Sequence, residues 1–146
     1  MMARQEHHTA NPFEAEYGFS QAVRIGQHVW VAGITSSSPQ GILYKGSMYD
    51  QAIEAFRCEP PLIPGCVDRK IELALQAVGA EMKDIVRTRL LVTKLDKGSL
   101  DAIARAHREC IAEKAGVSPA CTLIGVAGLA NPDMLCEIET DAYIST

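Results

Sequence analysis

Residues 47–79, SMYDQAIEAFRCEPPLIPGCVDRKIELALQAVG, decide the fold, because they hold either one helix or two. Met48, Ala52, Ala55 and Phe56 fall on one side of a helix with about 3.6 residues per turn, and so do Ile71, Ala74, Leu75 and Val78. Between the two stripes lies CEPPLIPGCVDR, residues 58–69, where Pro60, Pro61 and Pro64 remove backbone donors and block helical continuation. Without those residues Lys70 follows Arg57, and the stripes merge into one pattern that ends at Gly79 as a C-cap. Ser47 followed by Asp50 resembles a capping box at the start. The segment therefore reads as one amphipathic helix carrying a Pro-rich insertion at 58–69, expected as a surface loop.

Outward from this helix, FSQAVRIGQHVWVAG (residues 19–33) predicts a β-hairpin turning at Gly26 and Gln27. Residues 35–46 are rich in Ser and Gly and predict a loop. VRTRLLVT, residues 86–93, predicts a strand with Arg87 and Arg89 on one face. Ser99 is expected to cap a second helix that ends near Gly116 and has Leu100, Ile103, Ala104, His107 and Ile111 as its apolar face. CTLIGVAGL, the turn ANPD and MLCEIETDAYI predict a second hairpin. The order β-β-α-β-α-β-β describes a single α+β domain over residues 1–146, a mixed sheet with two helices on one face, preceded by a flexible tail at 1–12.

Bulk properties exclude several classes. A net charge of −4 argues against a broad nucleic-acid surface, which needs clustered Lys and Arg. The longest apolar run, residues 123–130, is too short to cross a bilayer, so no membrane association is expected. MMARQEHHTANPFE contains no apolar secretory region, so a cytoplasmic location is expected. In that reducing setting Cys58, Cys66, Cys110, Cys121 and Cys136 are expected as free thiols, and no CxxC spacing suggests zinc. His7 and His8 read as solvated tail residues. No metal or cofactor is implied.

Three features could carry chemistry. The last strand places Glu137, Glu139 and Asp141 on one face, with Met134, Cys136, Ile138, Thr140 and Ala142 on the other. One desolvated carboxylate there would suit acid/base work; the alternative is a solvated face, or ion pairs with Arg87 and Arg89. His107 lies on the apolar side of its helix, either as a buried hydrogen-bonded residue or as a base. Cys121, in SPACTLIGV at 118–126, begins a strand with no visible base to activate it, so it reads as packed rather than nucleophilic.

Three stretches together resemble the YjgF/RidA family, also called L-PSP endoribonuclease-like: YGFSQAVRIGQHVWVAG, AVGAEMKDIVRTRLLVTKLD and SPACTLIGVAGLANPDMLCEIETDA. The match runs from Phe13 to Ala142 apart from residues 58–69. The resemblance implies a chorismate-mutase-like fold, assembled as a homotrimer with small-molecule clefts between subunits. It implies hydrolysis of reactive imines and enamines, in which an arginine grips the substrate carboxylate and a glutamate handles water. The glutamate corresponds to Glu137, and the glycine of the second strand to Gly33. The arginine's place, in a P-A-R-T stretch, holds Cys121. The tyrosine's place holds Phe19, with Tyr17 as the alternative register, and the asparagine's place is near Ala104. Losing an arginine partner to a buried carboxylate costs about 3–5 kcal/mol, so imino acids are not the expected substrates. The motifs thus resemble an arginine-less branch of the family, and the retained glutamate makes the first reading a hydrolase or deaminase of a small imine, enamine or related electrophile without a carboxylate, with Glu137 handling water. A non-catalytic ligand-binding, stress-protective or partner-binding trimer is the second reading, and an endoribonuclease the third.

Overall fold

Alternation of apolar and polar residues along the strands makes the central sheet one-sided, and the helices cover the apolar side. The computed structural model describes residues 2–56 and 71–145. The sheet has six strands in the order β1 (Arg4–His7), β2 (Ala22–Ile25), β3 (His28–Ile34), β8 (Cys136–Tyr143), β6 (Ile85–Val92) and β7 (Ala120–Gly125). Only β6 and β7 run parallel; the other neighbours are antiparallel. A small ribbon, β4 (Ser37–Ser38) with β5 (Gly41–Ile42), stands beside it. On the inner face Val29, Val31, Ile34, Leu90, Val92, Cys136 and Ile138 are buried. They meet Ala52, Ala55 and Phe56 of α2 (Met48–Phe56), Ile71, Ala74 and Leu75 of α3 (Ile71–Ala77), and Ile103 and Ala106 of α4 (Lys97–His107).

Both stripes that frame residues 58–69 are helical and buried as expected, and Gly79 follows with φ +79°. The insertion itself, with Cys58 and Cys66, lies outside the described residues. Ser47 Oγ accepts from the Asp50 amide at 3.2 Å and donates to the Asp50 carboxylate at 2.6 Å, which caps α2.

Four expectations need correction. Residues 1–12 are not simply a tail: Arg4–His7 forms β1, paired with β2 from Arg4↔Ile25 to His7↔Ala22. The strand is polar, so periodicity could not reveal it; the unpaired backbone edge of β2 recruits it. Residues 11–18 also carry a short helix, α1 (Pro12–Tyr17), capped by Asn11 Oδ1 accepting from the Phe13 amide at 3.1 Å and closed by Gly18 in the left-handed region. The cap of α4 is Asp96, which accepts from the Ser99 amide at 3.0 Å, rather than Ser99; after His107 the chain continues as a π-helical stretch, Arg108–Ala115.

The fourth correction changes the topology. The last two strands are not a hairpin. β7 pairs with β6 through a β–α–β crossover, and β8 inserts between β3 and β6. Residues 126–135 are long enough to step past β6, since ten residues can span about 33 Å and one strand spacing is about 4.8 Å. β8 is thus central, paired on both edges, while β7 is an exposed edge over its whole length.

Candidate active site

Central placement of β8 governs its two faces. Cys136, Ile138, Thr140 and Ala142 are buried against the helices, and burial pushes the Cys136 thiol up to about 12. Glu137, Glu139 and Asp141 occupy the opposite face, as the alternation predicts.

The three carboxylates have different surroundings. Arg89 on β6 donates to Glu139 at 2.6 Å and to both oxygens of Asp141 at 3.1 Å, and Arg87 lies 3.9 Å from Asp141. These two carboxylates form the cross-strand ion pairs that the arginine spacing suggests. Glu137 stands opposite Leu91 instead, and among the described residues no guanidinium pairs with it. Its carboxyl is raised above its ordinary value, first by burial and then by the neighbouring Glu139 charge.

Gly33 allows Glu137 its place. Between Val31 and Ile34 the β3–β8 register slips, with Val31 opposite Thr140 and Ile34 opposite Ile138, so β3 bulges at Ala32 and Gly33. A Cβ at Gly33 would lie 2.2 Å from Glu137 Oε1 and 2.6 Å from its Cδ. The bulge and the missing side chain let the carboxylate lie over β3.

The same carboxylate lines a cavity of about 520 Å³ together with Gly33, Phe19, Tyr17, Phe13 and Gln21. That volume is within the range of small-molecule sites, about 300–1,000 Å³. Phe13 and Tyr17 both project from α1 and stack with centroids 5.8 Å apart. Gln21 is 3% exposed, and its Nε2 has no hydrogen-bond partner among the described residues. On the far side the loop carrying Asn131 and Met134 is held by Gln51 of α2. Gln51 is fully buried; its Nε2 donates to the carbonyls of Asp133 at 2.9 Å and Tyr44 at 3.3 Å, while its Oε1 accepts from the Leu135 amide at 2.8 Å. Sequence reasoning missed Phe13 and Gln51. Asn11-Pro12 before Phe13 and Gly18 after Tyr17 were helix start and stop signals that could have found α1. Gln51 had no comparable signal, because its partners are backbone groups 82 and 84 residues away.

The remaining sequence candidates lie elsewhere within one copy. Cys121 is exposed on β7, registered with Thr88, which in turn faces Thr140; it therefore takes the helix side of the sheet, opposite to Glu137. Ala104 is exposed on α4 rather than part of its buried face. His107 is half-buried, with Nε2 2.8 Å from Thr88 Oγ1 and its ring edge-on to Phe56, and burial lowers its pKa. It is a core histidine on the helix side of the sheet. Tyr17, Phe19, Gly33 and Glu137 converge; Cys121, Ala104 and His107 do not join them. Among the described residues, no group of His, Cys, Asp and Glu is arranged to hold a metal ion, and no helix is long and apolar enough to cross a membrane.

Residues 9–144 match the family model described as Endoribonuclease L-PSP. The chain belongs to the L-PSP/YjgF family. A crystal structure of Rv2704 from Mycobacterium tuberculosis, itself a member of the YjgF/YER057c/UK114 family, is similar at 34% identity and a TM-score of 0.73, over 97% of this chain and 100% of that one. The SCO2049 protein of Streptomyces coelicolor is 29% identical over 135 residues, covering 92% of this chain and 88% of its own. E. coli TdcF, solved with bound serine, shares the fold at 22% identity and a TM-score of 0.70, over 99% and 98% of the two chains. Membership agrees with the α+β architecture and supports a small-molecule-processing or endoribonuclease-like role.

Proposed function

We propose that this YjgF/RidA-family protein is a hydrolase of small imines or enamines that carry no carboxylate, working as a homotrimer with clefts between its subunits. Glu137 carries the reading: a half-buried carboxylate with a raised pKa, in a cavity, while its strand neighbours Glu139 and Asp141 are ion-paired with Arg89. A carboxylate tuned upward is suited to take a proton from water and return it to a leaving amine. The reaction adds water to R₂C=NH₂⁺ and releases R₂C=O with NH₄⁺; Glu137 takes one proton from the attacking water and delivers it to nitrogen, then takes the second from the carbinolamine hydroxyl as the C–N bond breaks and passes it to the departing ammonia.

A second copy is part of the reading because one copy leaves the whole of β7 exposed, and leaves Trp30 and Tyr143 uncovered on the outer sheet face. Assembly would cover those faces and bring residue 121 of one subunit toward the cavity of another. The added residue 121 is then a specificity position. Cys121→Arg is expected to confer hydrolysis of carboxylate-bearing imino acids at least tenfold above the parent, read as semicarbazide-trapped imine loss. An unchanged rate in a correctly assembled variant would show that residue 121 does not border the cleft.

The primary test generates imines in place, from amines with an amine oxidase and from amino acids with an amino-acid oxidase, and traps the survivors with semicarbazide. The protein is expected to accelerate loss of the amine-derived imines and to leave imino acids little changed. No acceleration of either class would favour the ligand-binding reading, for which the apolar cavity wall of Phe13, Phe19, Ile34 and Met134 is the supporting observation. The endoribonuclease activity in the family's name has the least support, because a net charge of −4 offers no broad basic surface for phosphates.

A further inference from the structure

The geometry points to a cationic ligand without a carboxylate in the Glu137 cavity: a small aryl- or alkyl-substituted ammonium or iminium ion, held by that carboxylate and by the rings of Phe13, Tyr17 and Phe19. The inference shares the Glu137 cavity with the proposed hydrolase and narrows its substrate class.

Charge is the first argument. Among the described residues of one copy, no Lys, Arg or His lines the cavity; Glu137 is the one carboxylate, and the remaining polar wall is amide, hydroxyl and phenol. The Arg89 guanidinium on the same strand face is engaged by Glu139 and Asp141. An anion entering this space would meet a carboxylate and no compensating cation, whereas a cation would meet its counter-charge.

The wall is the second argument. Two of the chain's three phenylalanines line this cavity, together with Tyr17. The Phe13–Tyr17 pair is held at 23° between ring planes on α1, with Phe13 49% and Tyr17 70% exposed. Rings stacked at this spacing leave no slot between them, so they present a shared surface to a ligand instead. Aromatic faces attract a cation within about 6 Å of a ring centroid and also bury an apolar body. A carboxylate combined with aromatic faces is the chemistry of ammonium recognition. For a hydrolase it favours the protonated imine, the more electrophilic form.

The test measures binding to the full-length protein by calorimetry at neutral pH with three probes of similar shape: benzylammonium, benzyl alcohol and benzoate. Benzylammonium is expected to bind at least tenfold more tightly than benzyl alcohol, and benzoate more weakly than either. In Glu137→Gln the tenfold preference is expected to vanish while benzyl alcohol binds as before; in Phe19→Leu benzylammonium is expected to weaken by about threefold. Equal affinity for the alcohol and the ammonium ion, tighter binding of benzoate, or no binding of any probe at millimolar concentration would overturn the inference. The two proposals fail separately. Ammonium selectivity without imine turnover would refute the hydrolase and keep the cation site; turnover without ammonium selectivity would do the reverse.

Discussion

Glu137→Gln is expected to lower kcat for an amine-derived imine by about 10²–10⁴-fold, the usual contribution of a positioned general base. The amide keeps the shape over Gly33 but can neither take nor return a proton. The fall should appear in kcat more than in KM, because the proton transfer belongs to the transition state. Turnover left within a few-fold of the parent would remove Glu137 from the chemistry.

The same substitution has an opposite effect on stability. Burial and the Glu139 charge raise the Glu137 pKa in the folded chain above its ordinary 4.5. The folded state then binds this proton more tightly than the unfolded state does, so stability is lost as pH rises through the folded value. The groups around Glu137 are Glu139 on its own strand, Arg89 on β6, which is held by Glu139 and Asp141, and the Tyr17 phenol across the cavity. Gln does not titrate, so Glu137→Gln should melt higher than the parent at neutral pH, and the difference should fade below about pH 4.5. A Tm difference that does not change between pH 4 and pH 8 would contradict the raised pKa. A more stable but inactive variant is the expected signature of a carboxylate kept for function rather than folding.

Gln51→Leu is expected to destabilise the chain by about 2–4 kcal/mol and lower Tm by roughly 10 °C. The two side chains are similar in volume, so the loss comes from hydrogen bonds and not from a cavity. Gln51 satisfies the Asp133 carbonyl and the Leu135 amide with one buried side chain, and removing it leaves both backbone groups without that partner. Because the loop it holds carries Asn131 and Met134 at the cavity wall, weaker ligand binding should accompany the lower Tm. Denaturant unfolding with a loss below about 1 kcal/mol would show that water replaces these bonds at little cost.

The contrast between Glu137 and Gln51 shows what kind of residue a sequence reveals. Period-two alternation put Glu137, Glu139 and Asp141 on one face, and the resemblance singled out Glu137 and Gly33. Neither could say that Arg89 takes two of the carboxylates and leaves the third, since that depends on register across β6 and β8. Gln51 looked like an ordinary polar residue in an amphipathic helix. Its importance arises from backbone groups 82 and 84 residues away along the chain, which no local pattern encodes.

The helical period on either side of residues 58–69, the first hairpin, the faces of β8 and the α+β class were all determined by the sequence, because burial imposes a repeat on side chains within a single element. Pairing between elements was not. β1 has no apolar repeat and exists because β2 offers an open edge, and β8 lies between β3 and β6 although β7 precedes it in the chain. Strand order depends on which backbone edges find partners once the helices have covered one face. That arrangement set Glu137 over Gly33 and left Cys121 on an edge strand, on the opposite side of the sheet.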